Sequence, residues 1–289
     1  MILAAMQHLE QTNMYRSILS AAAALALTAC GGGNTESSVE APGAEETAKT
    51  KALETGAAVM QDRPPIEAIN AYLDGFHFYN GQMDVQMEAH HYCSILNEDV
   101  IQCTIYDGNV KDAKLMGVEY IISETLFAEL PAQEKALWDS HVHEVKSGQL
   151  VAPGIPEIAE HELMEKLVRT YGKTWHTWHT DLDKDLPRGM PQLMMGFTAD
   201  GQADPAMVAQ RDARLGVSSE DKRKARADIP APTIDSGADA WQKGQVVQIK
   251  DPSGGHSHGQ QNQIKEVPGR GENATSNGSS ENQPPSRVR

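Results

Sequence analysis

Val100-Ile101-Gln102-Cys103-Thr104-Ile105-Tyr106, followed by Asp107-Gly108-Asn109, is the stretch on which the fold turns. Its β-branched and aromatic residues predict a strand, and the Asp-Gly-Asn run predicts the turn that ends it. Residues 115–122, through Gly117-Val118-Glu119-Tyr120-Ile121-Ile122, predict a second strand, and the short connection lets the two pair antiparallel. Downstream the period changes from two to that of a helix. Ser123 is a suitable N-cap for a helix to position 130. Pro131 opens a helix over 132–146 that stops at Gly148, with Leu137, Trp138, Val142 and Val145 as its apolar stripe. Pro156 opens another with Ile158, Leu163, Met164, Leu167, Val168 and Tyr171 inward, ending at Gly172. Residues 174–180 alternate as a strand does, 193–198 predict a further strand, and 66–73, after Pro64-Pro65, have an amphipathic helical pattern. Helices clustered between short strands predict an α+β fold. The expected architecture is a single compact domain of short antiparallel strands and several helices, with strand order left open.

That domain is expected to occupy residues 66–249. On its amino side, 31–65 begin Gly31-Gly32-Gly33-Asn34 and continue in Ala, Glu, Thr, Pro and Lys, which predicts a flexible tether. On its carboxyl side, 250–289 are rich in Gly, Ser, Asn, Gln and Pro and almost free of large apolar residues, which predicts disorder. The whole chain carries 25 Lys and Arg against 40 Asp and Glu, a net charge of -15. Phosphate backbones bind through basic side chains, so this surface argues against a nucleic-acid partner.

Residues 1–30 read as a signal peptide. The apolar run at 18–27 is shorter than the ~20 residues that span a bilayer, and Arg16 gives its positive flank. Leu27-Thr28-Ala29-Cys30 then looks like a bacterial lipobox, in which Cys30 would receive the lipid. Met14-Tyr15-Arg16 makes a cleaner start for this leader than Met1, because Glu10 puts an acid where positive charge belongs. The implied address is an exported protein, anchored to a membrane through Cys30. Gly31 after the cysteine points to a bacterial outer membrane, facing the periplasm, with a lipid or envelope component as partner.

If Cys30 is lipidated, Cys93 and Cys103 remain as a pair, either disulfide-bonded or two buried thiols on adjacent strands. The body is rich in histidine, the commonest ligand of zinc, copper and iron. His77, His90 and His91 lie in one stretch, while His141 and Glu144 stand three apart on a predicted helix and so share a face. Glu119 is a carboxylate in an otherwise apolar strand and needs a partner if buried. These six are candidate ligands for one divalent transition metal, zinc or iron. Adjacent His90 and His91 would point to opposite faces of a strand, so one of them is expected to bind. The alternative is a set of hydrogen-bonded structural histidines. No H-E-x-x-H, paired C-x-x-C, G-x-S-x-G, phosphate loop or dinucleotide fingerprint occurs. His176 and His179 have zinc-finger spacing but fall on opposite sides of a predicted strand.

A series of short blocks resembles the oil body-associated protein family, a domain-of-unknown-function family. They include His90-His91-Tyr92, Leu96-Asn97-Glu98-Asp99, Ile105-Tyr106-Asp107, Gly117-Val118-Glu119-Tyr120-Ile121, Leu137-Trp138, Ser140-His141, Glu144-Val145-Lys146-Ser147-Gly148, Thr170-Tyr171-Gly172-Lys173-Thr174-Trp175 and Pro191-Gln192-Leu193-Met194-Met195. They run in order through residues 75–245. The resemblance implies association with lipid stores and names no catalytic residue. The chain departs from the family pattern where Asp139 replaces the first histidine of a Trp-His-Ser-His run, at His179, where glutamine is usual, and at Cys93, a thiol that plant members lack. Two functions therefore stand: a non-catalytic lipid- or envelope-associated binding protein with an apolar groove, or a metal-dependent enzyme built on the histidines, with a polar cleft and an open coordination position.

Overall fold

In the computed structural model, which describes residues 33–250, the two-residue turn Asn80-Gly81 joins the first two strands. These are β1, Ala71–Tyr79, and β2, Gln82–Ile95. Gly81 takes φ 91°, a left-handed conformation that glycine adopts without a Cβ penalty. β3, Val100–Tyr106, and β4, Leu115–Ser123, form where the alternation predicted them and pair antiparallel. The short β5, Asp139–Ser140, is followed by β6, Thr170–His176, and β7, Gln192–Met195. The order is β4-β3-β2-β1-β7-β6, and β6 returns to pair with β4 from Gly117–His176 to Ser123–Thr170. Every pairing is antiparallel and the ring has no free edge.

The molecule is thus a closed six-stranded antiparallel barrel, and the α+β layout expected from the sequence is corrected. Two features misled the reading. β1 is buried along most of its length and carries polar residues on both faces, so it lacks the apolar-polar alternation that identifies a strand. The predicted helix over 66–73 shrinks to one turn, and 71–73 belong to β1. The predicted helix over 132–146 is likewise interrupted by β5.

The helices are α1, Ala48–Met60, α2, Pro64–Glu67, α3, Glu124–Ala128, α4, Ala132–Lys135, α5, Val142–Ser147, α6, Glu157–Leu167, α7, Pro205–Leu215, and α8, Ser219–Ala225. Ser123 caps α3 as predicted, accepting from the Leu126 amide. Val145 of α5 with Met164 and Leu167 of α6 packs on Leu73, Cys93, Ile101, Cys103 and Ile121 of the barrel. α7 packs Met207 and Val208 on Phe76, Phe78, Leu193 and Met195.

Cys93 and Cys103 are registered partners on β2 and β3 and are joined by a disulfide. Within the stretch read as a tether, residues 33–39 lie along the barrel. Asn109 exchanges hydrogen bonds with Thr35, Ser37 donates to Asp107, and Val39 is buried. α1 buries no residue. The expected leader, with Met14 and Cys30, and the tail from 251 onward lie outside the described residues. Among the described residues no helix is long and apolar enough to cross a membrane.

Candidate metal centre inside the barrel

Strand alternation decides which side chains face inward. On β2, His91 shares a face with Ala89 and Cys93; on β4, Glu119 shares one with Gly117 and Ile121; on β1, Leu73, Gly75 and His77 do so. The registers Leu73–His91, Cys93–Cys103, Cys103–Glu119 and Glu119–Thr174 carry this face around the barrel. A band of buried polar groups therefore runs between two apolar clusters, one around Ile101 and Ile121 and the other made of Ala89, Ile105 and Met116.

β5 delivers the rest of the band. It pairs with Tyr171 and Gly172 of β6, and α5 starts directly after His141. That break in what reads as one helix turns Asp139, His141 and Glu144 to one place, where each offers a donor atom and all three atoms lie within 4.8 Å of one another. His141 Nδ1 lies 2.8 Å from Thr170 Oγ1, whose own hydroxyl donates to the Leu167 carbonyl at 2.7 Å. The hydroxyl oxygen therefore accepts from Nδ1–H, which leaves Nε2 to face the carboxylates. Glu119 Oε1 is 3.2 Å from His141 Nε2, and Glu144 Oε2 is 3.9 Å from it. The second oxygen of Glu119 is 3.3 Å from His91 Nε2. His91 Nε2 lies 3.2 Å from His77 Nε2, and His77 Nδ1 lies 3.2 Å from His176 Nε2.

Two glycines make room for the cluster. A Cβ on Gly172 would stand 2.3 Å from Glu119 Oε1 and 2.7 Å from His141 Nε2. One on Gly196 would stand 2.8 Å from both Asp139 Oδ2 and Glu144 Oε2. The Gly196 amide also donates to Asp139.

The electrostatics of the band are lopsided. Burial raises the Glu144 carboxyl to about 7, helped by repulsion from Glu119. Burial and the charge of Glu144 hold Asp139 well above the ordinary carboxylate range, and burial lifts Asp239 beside it to about 6. His141 goes the other way. Burial alone would lower it, but the hydrogen bond to Glu119 and the charges of Glu144 and Asp139 raise it to about 9. The same partnership outweighs burial at Glu119 and holds it low. Burial and neighbouring imidazoles push His77 and His176 down, His176 to about 3, and burial lowers His91 despite the charge of Glu119. Among the described residues, no lysine or arginine pairs with Glu119, Asp139 or Glu144; the ion pairs of Glu119 and Glu144 are to histidine.

Of the six residues predicted as ligands, the interior gathers His77, His91, Glu119, His141 and Glu144. His90 points out of the barrel, opposite to His91. It stands 3.1 Å from Asp74 and 3.4 Å from Glu88, with the Tyr72 hydroxyl 2.8 Å away. Arg211 and Arg214 pair with Asp74 and Glu88, so the carboxylates of this outer cluster already have cationic partners. Asp139 was missed because aspartate there reads as the loss of a histidine, although it exchanges one ligating side chain for another. His176 was missed because its spacing to His179 drew attention away from His77. His179 instead contacts the Tyr79 hydroxyl and the Met190 carbonyl.

Residues 63–230 match the family model described as "Protein of unknown function (DUF1264)". The chain is 43% identical over 201 residues to oil body-associated protein 1B of Arabidopsis thaliana, covering 70% of this chain and 83% of that one. It is 43% identical over 215 residues to oil body-associated protein 1A of Zea mays, covering 74% and 90%, and 41% identical over 215 residues to oil body-associated protein 2A of Zea mays, covering 72% and 85%. No solved structure matches significantly. These relatives overturn the expected address on a bacterial outer membrane, facing the periplasm. They are plant proteins named for oil bodies, whereas that address rested on a short leader pattern alone.

Proposed function

This chain belongs to the oil body-associated protein family, and from the interior of its barrel we propose that it is a metal-binding protein holding a divalent transition metal, zinc or iron. The ligands would be His141 through Nε2 together with Glu144 and Asp139, and Glu119 through Oε1. The observation that carries this reading is three buried carboxylates around one imidazole, with no lysine or arginine among the described residues to neutralise them. Leaving a buried charge uncompensated costs about 3–5 kcal/mol, and a bound cation removes that cost. Mixed imidazole and carboxylate donors suit zinc, iron or manganese better than copper(I), which favours sulfur. Burial of all four residues favours an ion held within the fold over one open to substrate.

Tag-free protein should retain about one equivalent of zinc or iron or more, as structural sites do. His141→Ala should hold about one equivalent less than wild type and His90→Ala should match wild type, measured by elemental analysis beside circular dichroism. Metal-free protein after growth in supplemented medium would refute the reading.

A second reading, association with a lipid surface, is supported by the relatives' names and by an apolar trough on the outer face. Pro65, Ile66, Ile69, Tyr92, Val118 and Tyr120 line it, and Ile66, Val118 and Tyr120 are exposed. Its volume of about 240 Å³ is below the ~300–1,000 Å³ of sites that enclose small ligands. A six-stranded barrel is narrower than the eight-stranded kind whose interior side chains just fill. Lipid would therefore be met at the surface, and the net charge of -15 favours a zwitterionic one. The protein should float with phosphatidylcholine-coated triacylglycerol droplets, and Ile66→Asp/Tyr120→Asp should sediment. Equal flotation of the two would remove the trough from the argument.

A further inference from the structure

Glu119 spends its two oxygens in opposite directions. Oε1 faces His141 at 3.2 Å, and Oε2 faces His91 at 3.3 Å. On the His91 side the two Nε2 atoms of His91 and His77 are 3.2 Å apart. Two nitrogens bound tetrahedrally to one ion at ~2.0–2.1 Å stand about 3.3 Å from each other, so this spacing suits co-ligands as well as hydrogen-bonded rings. His77 has a further feature of a metal ligand. Its other nitrogen, Nδ1, meets His176 Nε2 at 3.2 Å, so a ring behind it can fix its orientation. His141 is held from behind in the same manner by Thr170.

We propose that the barrel holds a pair of divalent cations bridged by Glu119, the first at His141, Glu144 and Asp139 and the second at His91 and His77, with His176 positioning His77. This rests on the metal-binding reading above. The two positions differ in chemistry. Carboxylates dominate the first, which suits harder ions, whereas imidazoles dominate the second, which suits zinc or copper(II). A carboxylate bridge is compatible with the ~3.5–4 Å separation of paired-metal centres.

The carboxyl-terminal stretch carries an H-x-H pair, His256 and His258, that could take up zinc by itself, so the test is titration of chelator-stripped full-length protein with Zn²⁺ in a His256→Ala/His258→Ala background. Wild type should bind about two equivalents, and His77→Gln and His141→Ala about one each. Two equivalents in His77→Gln would place the second ion elsewhere and overturn the proposal. One equivalent in wild type, lost in His141→Ala, would also overturn it while leaving the single-metal reading standing. No binding at all would sink both. Should His77→Gln fail to fold, the Co²⁺-loaded wild type decides. A bridged pair gives an exchange-coupled electron paramagnetic resonance signal, and isolated ions give an uncoupled one, which would refute the bridge.

Discussion

Stripping the metal from wild-type protein with a chelator is expected to lower its melting temperature by roughly 8–16 °C. A ligand that binds only the folded chain, present at 1,000 times its dissociation constant, stabilises it by about 4.1 kcal/mol. In a domain of this size each kcal/mol shifts the melting temperature by ~2–4 °C. The effect should be large because the cation compensates buried carboxylates that burial disfavours in their charged form. Without it, Glu144 and Asp139 are driven to take up protons by burial. In His141→Ala the chelator should have a much smaller effect, because the ion at that position is already gone. A melting temperature that ignores the chelator in metal-loaded wild type would show that the ion contributes nothing to the fold.

How much of this the sequence could reveal depended on which face of each strand is apolar. β3 and β4 were legible because their inward residues include Ile101, Ile105 and Ile121 against outward Gln102 and Thr104. β1 was not, because Phe76 and Phe78 face outward under α7 while Gly75 and His77 face the polar band. The Asn80-Gly81 pair is the remaining sequence signal for the β1–β2 hairpin. Missing that hairpin turned a barrel into an α+β domain, since β2 and β1 are the strands that join β3 to β7 and close the ring. The ligand residue types were legible, and the His90–His91 alternation was foreseeable from strand geometry. Their convergence was not, because it depends on β5 interrupting a segment whose local propensity is helical. Asp139 could be recognised only once that break placed it beside His141.

Replacing Arg211 with alanine is expected to destabilise the domain by about 3–5 kcal/mol, the cost of leaving one partner of a buried ion pair alone. Arg211 and Asp74 are both 0% exposed. The guanidinium donates to Asp74 Oδ1 at 2.7 Å, to the Gln149 carbonyl at 2.8 Å and to Ser219 Oγ at 3.0 Å, and it lies over the Phe76 ring at 4.7 Å. It thereby ties α7, the loop after α5 and the start of α8 to the outer face of β1, the strand that carries His77 inward. Burial works against a charged Asp74, but the hydrogen bond from His90 and the charge of Arg211 outweigh it, and its carboxyl is held below the usual range. A depressed carboxyl stabilises the fold above the ordinary aspartate pKa of about 3.9 and loses that contribution as pH falls through the lower folded value. The gap between wild type and Arg211→Ala, measured by urea unfolding, should therefore be full at pH 7 and narrow as pH falls through the range in which Asp74 takes up its proton, first in the variant and then in wild type. Asp74→Ala/Arg211→Ala should lose less than the sum of the two single variants, because each single change strands a charge that the double change removes. Strict additivity at pH 7 would mean that the pair is not coupled and that the loss comes from packing against Phe76.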